Sequence, residues 1–224
     1  MRLKLVVLVL LVDLAGLLVA CNGEVGPVNV VQGSGNVITE TREVSDFTTV
    51  ALNGVGRLVI EQTGSESLTI TADDNVLPLI ETTVRDGKLI ISIQERTTFT
   101  NVPELTYNVT VNTIDALELN GAGNVETIDL NGEEWRVTLS GGGNITASGI
   151  VDRQIINING AGAYNAAELQ SREATIQHNG AGMAVVQVSD ALDVTINGVG
   201  TVEYIGDPSD ISQSINGLGT VRQR

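Results

Sequence analysis

Cysteine, histidine, tryptophan and lysine are almost missing from this chain. Its 224 residues hold one cysteine, Cys21, one histidine, His178, and one tryptophan, Trp135, and aromatic residues make up 3% of the total. A lone cysteine permits no internal disulfide, so the fold has to stand on hydrophobic burial and backbone hydrogen bonding. A lone histidine excludes a histidine metal cluster, and any catalytic triad would have to be built around His178. Beyond Lys4 the only lysine is Lys88, and 12 basic residues face 27 acidic ones, a formal charge of −15. Nucleic acid is thereby excluded as a partner, because phosphate binding needs a basic face. Tyr107, Trp135, Tyr164 and Tyr204 are nearly the whole aromatic supply, which disfavours a sugar-stacking groove. No segment carries helical periodicity of convincing length, and after Leu18 no apolar run approaches the roughly 20 residues of a spanning helix.

What is present begins with an export signal. Arg2 and Lys4 form a basic start, Val6 to Leu18 an apolar stretch, and Leu18-Val19-Ala20-Cys21 closes it as a lipobox. Residues 1–20 read as a lipoprotein signal peptide, with Cys21 lipidated as the mature N-terminus and the membrane reached through that lipid. An uncleaved N-terminal anchor is the alternative, and Asp13 within the apolar stretch opposes insertion. Either way the bulk of the chain lies outside the cytoplasm. Removing residues 1–20 takes Arg2, Lys4 and Asp13 from the 12 basic and 27 acidic side chains, leaving 10 and 26 and a formal charge of −16. Residues 21–44 read as a flexible spacer running into a first strand, with a repeat-like turn at Gln32-Gly33-Ser34-Gly35.

The strongest signal is a repeated corner. It appears as Asn53-Gly54-Val55-Gly56, Asn120-Gly121-Ala122-Gly123, Ser140-Gly141-Gly142-Gly143, Asn159-Gly160-Ala161-Gly162, Asn179-Gly180-Ala181-Gly182, Asn197-Gly198-Val199-Gly200 and Asn216-Gly217-Leu218-Gly219. From Gly121 onward the first glycines step by 20, 19, 20, 18 and 19 residues, the spacing of a stacked solenoid. Two residues before each first glycine stand Leu52, Leu119, Leu139, Ile158, His178, Ile196 and Ile215; four before it stand Val50, Leu117, Val137, Ile156, Ile176, Val194 and Gln213. The residues between them are mostly polar, namely Glu118, Thr138, Asn157, Gln177, Thr195 and Ser214. This is the period-two alternation of strands with one buried face. Four residues after the first glycine a further column runs through Val37, Leu58, Val125, Ile145, Tyr164, Ala184, Val202 and Val221.

Each unit therefore reads as a strand, a Gly-x-Gly corner and a second strand. Paired glycines suit a sharp turn with the next coil only about 4.8 Å away, and the asparagine amides are placed to form a ladder along one edge, with Ser140 substituting once. Asn-Gly hairpins of an antiparallel sheet would use the same dipeptide, but the constant spacing favours coils. The expected fold is all-β: a right-handed parallel β-helix, or β-solenoid, of about 19–20-residue coils with an irregular N-terminal half. Its domain covers residues 45–224, with regular coils over 111–221.

Residues 61–110 interrupt the rhythm. Ser67–Ala72, Thr82–Val84, Lys88–Ile93 and Leu105–Val111 read as strands, Arg85-Asp86-Gly87-Lys88 as a hairpin, and Asp73–Ile80 as one short helix. The segment is either an excursion that covers one side of the stack or a small separate domain.

A lipobox, Phe47-Thr48-Thr49-Val50 leading into a Gly-x-Gly corner, Asp73-Asp74-Asn75-Val76-Leu77, Asp86-Gly87-Lys88-Leu89 and then serial Asn-Gly-x-Gly corners occur in order. Together they resemble the family called putative auto-transporter adhesin, head GIN domain, over residues 45–221. The resemblance implies a β-helical surface or periplasmic bacterial lipoprotein, and it brings no catalytic residues.

Chemistry sought directly is thin. His178 falls in the inward column between Ile158 and Ile196, where a structural imidazole is expected rather than a general base. No Gly-x-Ser-x-Gly elbow surrounds Ser140 or Ser148. A polysaccharide lyase would need clustered carboxylates beside a basic residue, whereas Arg136, Arg153 and Arg172 stand at different phases of the repeat and the acidic chain repels acidic sugars. Asp73-Asp74 and Glu133-Glu134 read as solvated surface. No enzyme activity, metal or cofactor is expected. Two functions remain: a lipid-anchored envelope module displaying the row Glu118, Thr138, Asn157, Gln177 and Thr195 to an extracellular or periplasmic protein or glycan, or a scaffold self-associating end to end. Against the second stands the charged terminus Arg222-Gln223-Arg224.

Overall fold

The computed structural model describes residues 27–224; the expected signal peptide, residues 1–20, and the expected lipidation at Cys21 lie outside the described residues. In chain order the strands of the N-terminal half are β1 (Asn29–Gln32), β2 (Val37–Arg42), β3 (Thr49–Asn53), β4 (Val55–Gln62), β5 (Ser67–Asp73), β6 (Ile80–Arg85), β7 (Lys88–Ile93), β8 (Thr97–Thr100) and β9 (Leu105–Val111). The C-terminal half holds β10 (Ala116–Leu119), β11 (Ala122–Leu139), β12 (Gly142–Ile158), β13 (Ala161–His178), β14 (Ala181–Ile196), β15 (Val199–Ile205), β16 (Asp210–Ile215) and β17 (Leu218–Gln223).

The chain is a parallel β-solenoid. β11 pairs in parallel with β12, β12 with β13 and β13 with β14 along almost their whole lengths, and β15, β16 and β17 continue the stack. Coils meet in register at every corner: Gly56, Gly123, Gly143, Gly162, Gly182, Gly200 and Gly219 form one column of Cα partners. Each strand from β11 to β14 runs unbroken from one Gly-x-Gly corner to the next, bending at register shifts rather than ending.

The inward columns form the core. Leu52, Leu119, Leu139, Ile158, His178 and Ile196 are fully buried, as are Val50, Leu117, Val137, Ile156, Ile176 and Val194. Each such aliphatic side chain contributes on the order of 1.5–3 kcal/mol on burial. The columns fade at the last coil, where Gln213 and Ile215 are exposed.

Most of residues 61–110 join the sheet of the stack through β5, β6, β7 and β9, while β8 pairs with β1 in a two-stranded sheet of its own. β7 lies in parallel beside β3, and β9 beside β4, so residues 88–111 make a coil of their own under the first corner. β5 then folds back antiparallel to β9 and β2, and β6 antiparallel to β7. The β6–β7 turn has both central residues at positive φ, Asp86 at 50° and Gly87 at 73°, as a tight hairpin requires. The helix expected over Asp73–Ile80 shrinks to a single 3-10 turn, Leu77–Leu79, in which Pro78 has no N–H to propagate it.

The spacer reading needs correction as well. Among its described residues, β1 adds in parallel to β8, and β2 lies antiparallel to β5. Arg42 fastens β2 by donating to Ile80 O at 2.6 Å and Leu77 O at 3.0 Å. The Gln32–Gly35 turn joins β1 to β2 and is not a coil corner, so Val37 is 38% exposed rather than part of the buried column.

Candidate functional site

The corners are built by closeness of approach. At Asn179-Gly180 both backbone N–H groups donate to Ile158 O, at 2.8 and 3.0 Å, and the corners at Ser140-Gly141, Asn159-Gly160, Asn197-Gly198 and Asn216-Gly217 repeat this fork. A Cβ on Gly180 would sit 1.9 Å from Gly160 O, and one on Gly160 the same distance from Gly141 O. The first glycines are therefore required by the coil next door. Among the corner glycines, positive φ is confined to some second positions, including Gly143 at 139° and Gly182 at 152°. Gly121, Gly123, Gly141, Gly162, Gly198, Gly200, Gly217 and Gly219 occupy equivalent places in the stack.

Asparagine amides run along this edge. Asn216 Nδ2 donates to Asn197 Oδ1 at 3.0 Å, Asn197 to Asn179 at 2.8 Å and Asn179 to Asn159 at 2.9 Å. Ser140 interrupts the ladder, which resumes with Asn120 donating to Asn53 at 2.8 Å. A second pair, Asn144 to Asn124 at 3.2 Å, stands just past the corner and was not singled out from the sequence.

Beside the corner lies a flat outward row. Ala51, Glu118, Thr138, Asn157, Gln177, Thr195 and Ser214 are successive partners across seven strands. Gln177 and Ser214 are exposed; Glu118, Thr138, Asn157 and Thr195 are half-buried by neighbours in the row. Stacked at rung spacing, these groups offer a repeating array of donors and acceptors.

On another wall the stack opens. Opposite β14 the partners jump from Ala166–Val186 to Gln170–Gln187, leaving three residues of β13 unmatched. The mismatch sits beside a depression of about 480 Å³ between β12, β13, β14 and the β15–β16 turn, lined by Ile150, Asp152, Ser171, Arg172, Gln187 and Asp207 among others. Behind it a polar network enters the core. Tyr164 Oη donates to Gln154 Oε1 at 2.9 Å, Gln154 Nε2 to Ser171 Oγ at 3.0 Å, and Ser171 to Gln187 O at 2.8 Å. Burial pushes the Tyr164 phenol far above its ordinary range, so it stays a neutral donor. The Trp135 indole is buried alongside, its N–H without an acceptor at bonding geometry.

Nothing in this arrangement forms a nucleophile and base. Ser171 spends its proton on a backbone carbonyl, and His178 is fully buried with both ring nitrogens unpartnered. Most of the basic residues are paired with acids, among them Arg153 with Glu173 at 3.0 Å, Arg172 with Asp190 at 3.0 Å, Arg136 with Glu134 at 2.5 Å and Lys88 with Glu118 at 2.6 Å. Arg222 binds sideways to Glu203 of the preceding coil, its cross-strand partner. Among the described residues no group of three or more His, Cys, Asp or Glu side chains could hold a metal ion.

One acidic pair departs from the sequence reading. Asp73 is fully buried, not solvated, and accepts from Gly35 N–H; Asp74 accepts from Ser34 Oγ at 2.6 Å and Asn36 Nδ2 at 2.9 Å. Asn75 completes the clamp, accepting from Ser34 N–H at 3.1 Å and donating to Gln32 O at 2.8 Å. The triplet fixes the β1–β2 turn, and the bonds from Ser34 and Asn36 hold the Asp74 carboxyl below its ordinary value.

A family model described as putative auto-transporter adhesin, head GIN domain, matches residues 46–208. The chain belongs to that family. No curated protein matches it. Among solved structures, an adhesin-titled protein of Bacteroides fragilis is 22% identical, with a TM-score of 0.72 over 87% of this chain and 100% of that one. A Parabacteroides merdae protein titled in the same way is 19% identical, with a TM-score of 0.58 over 88% and 99%. A Parabacteroides distasonis protein described as a putative lipid binding protein is 22% identical, with a TM-score of 0.56 over 88% and 100%. At these identities the likeness is one of fold. It places the head GIN domain of this chain among stacked β-solenoids.

Proposed function

We propose that this head GIN protein is a non-catalytic, lipid-anchored module of the bacterial cell envelope or surface, which binds an extracellular or periplasmic protein or glycan through its flat sheet face. The observation that carries the reading is the row Glu118–Thr138–Asn157–Gln177–Thr195, polar groups aligned in register on the outside of the stack and not consumed by the core. Membership of an adhesin family supports a surface role. A parallel stack suits that role, because it holds donors and acceptors at a fixed spacing without a backbone ordering cost on binding.

The test uses the full chain on arrays of bacterial and host glycans and against surface-protein extracts, with Gln177→Ala/Thr195→Ala as the row variant. Loss of a bound partner at unchanged melting temperature supports the face; equal binding by the variant removes it. The anchor is tested separately, by mass spectrometry of the N-terminal peptide from membranes. A lipid mass on Cys21 that disappears in Cys21→Ser supports it, and an intact Met1 peptide in both refutes it.

End-to-end self-association is the second reading. It is favoured by Ile211, Ile215 and Leu218, which are 40%, 44% and 78% exposed on the last coil. Sedimentation that shows concentration-dependent growth, abolished by Leu218→Glu, would support stacking over display.

A further inference from the structure

Six of the seven corners place an asparagine directly before a glycine, the sequence in which the next backbone nitrogen most easily attacks the side-chain amide. The corners do not treat that nitrogen alike. Gly160 N–H donates to Leu139 O at 3.0 Å, Gly180 to Ile158 O at 3.0 Å, Gly198 to His178 O at 3.1 Å and Gly217 to Ile196 O at 3.2 Å. Gly54 and Gly121 have no such acceptor among the described residues; at Asn120-Gly121 only the asparagine N–H reaches Leu52 O, at 3.0 Å. The amide ladder divides at the same place. Asn159, Asn179, Asn197 and Asn216 form one continuous chain, whereas Asn53 and Asn120 bond only to each other on the far side of Ser140.

We propose that Asn53-Gly54 and Asn120-Gly121 are the sites of spontaneous deamidation in the folded protein, while the rungs from Asn159 to Asn216 are protected. The glycine nitrogen attacks Cγ of the preceding asparagine. An N–Cγ bond forms, the Cγ–Nδ2 bond breaks, and the proton lost by the glycine nitrogen leaves with ammonia. Water then opens the cyclic imide at either carbonyl, producing aspartate or its β-linked isomer. In the protected rungs, attack first requires breaking the fork that holds the glycine N–H, and the interlocked amide must rotate out of its chain. Asn131-Gly132, outside the corners, joins the protected set, because Gln62 binds both the N–H and the C=O of Asn131 at 3.0 Å within β11.

The consequence is local. Asn53 ends β3 and Asn120 directly follows β10, where the irregular half meets the regular coils, so a new carboxylate or an extra backbone atom falls on the seam between them.

The experiment incubates the purified full chain in mildly alkaline buffer and follows each Asn-Gly by peptide mapping, beside a sample in concentrated urea. In the folded chain Asn53 and Asn120 should convert roughly tenfold faster than Asn159, Asn179 and Asn197, a ratio equivalent to about 1.4 kcal/mol. In urea the rates should converge, since the dipeptide is the same at each site. Native rates that are uniform, or fastest at Asn179 or Asn197, overturn the proposal.

Discussion

Lys88 reaches across an entire strand to Glu118. The two lie on β7 and β10, with β3 between them, yet Lys88 Nζ stands 2.6 Å from Glu118 Oε1. The span is open because β3 presents the small residue Ala51 next to Glu118 in the sheet. One end of the outward polar row is thus tied to the irregular half of the molecule, and Glu118 serves structure as well as surface.

Both groups are about a third exposed, at 35% and 32%, so the pair is screened and its coupling is modest. A double-mutant cycle with Lys88→Met and Glu118→Gln should report about 0.5–1 kcal/mol by denaturant unfolding, shrinking at high salt. A coupling indistinguishable from zero at low salt would mean that the bridge does not form in solution.

Gly180→Ala should destabilise by about 1–3 kcal/mol, and Gly180→Val by more, because the added carbon meets the Gly160 carbonyl oxygen at 1.9 Å. Since Gly180 is not at positive φ, the penalty comes from the neighbouring coil and not from the torsion. Gly132→Ala is the control, as nothing lies within 4 Å of its Cβ position. Equal melting of the Gly180 and Gly132 variants would contradict the stacking geometry.

Ser140→Asn should restore the missing rung, joining Asn120 to Asn159 through side-chain amide hydrogen bonds on both sides. The expected gain is about 0.5–1.5 kcal/mol for a completed hydrogen bond. Thermal unfolding measures it, and a lower melting temperature would show that Ser140 was meeting a steric need.

Gln154→Leu should cost about 1–3 kcal/mol, because it strands the buried Tyr164 hydroxyl without its acceptor. Adding Tyr164→Phe to that variant removes the orphan and should recover part of the loss. No recovery would argue that the network contributes packing rather than hydrogen bonding.

The Asp74 clamp sets a pH dependence. Hydrogen bonds from Ser34 and Asn36 lower its folded pKa below the ordinary 3.8, so their contribution is present above 3.8 and is lost as pH falls through the folded value. Hydrogen exchange of β1 and β2 should rise first on acidification, ahead of β11–β14. Asp74→Asn should abolish that difference; if strands of both groups loosen together, the clamp is not the acid-sensitive element.

Sequence and tertiary structure determined different things. Local chemistry pointed to the stacked strands: β-branched alternation specifies which face is buried, and a glycine corner recurring near every nineteenth residue favours coils over hairpins. It was also enough to place the Asn edge and its interruption at Ser140. Tertiary contact decided the remainder. Asp73 looks like surface in the sequence, and it becomes a buried clamp only because a turn forty residues earlier folds over it. The Lys88–Glu118 tie, the Gln154–Tyr164 network and the depression beside β14 likewise join residues whose meeting depends on how many residues each coil contains. A one-residue difference in coil length leaves the alternation along a strand unchanged, but it shifts which side chains are stacked on the next.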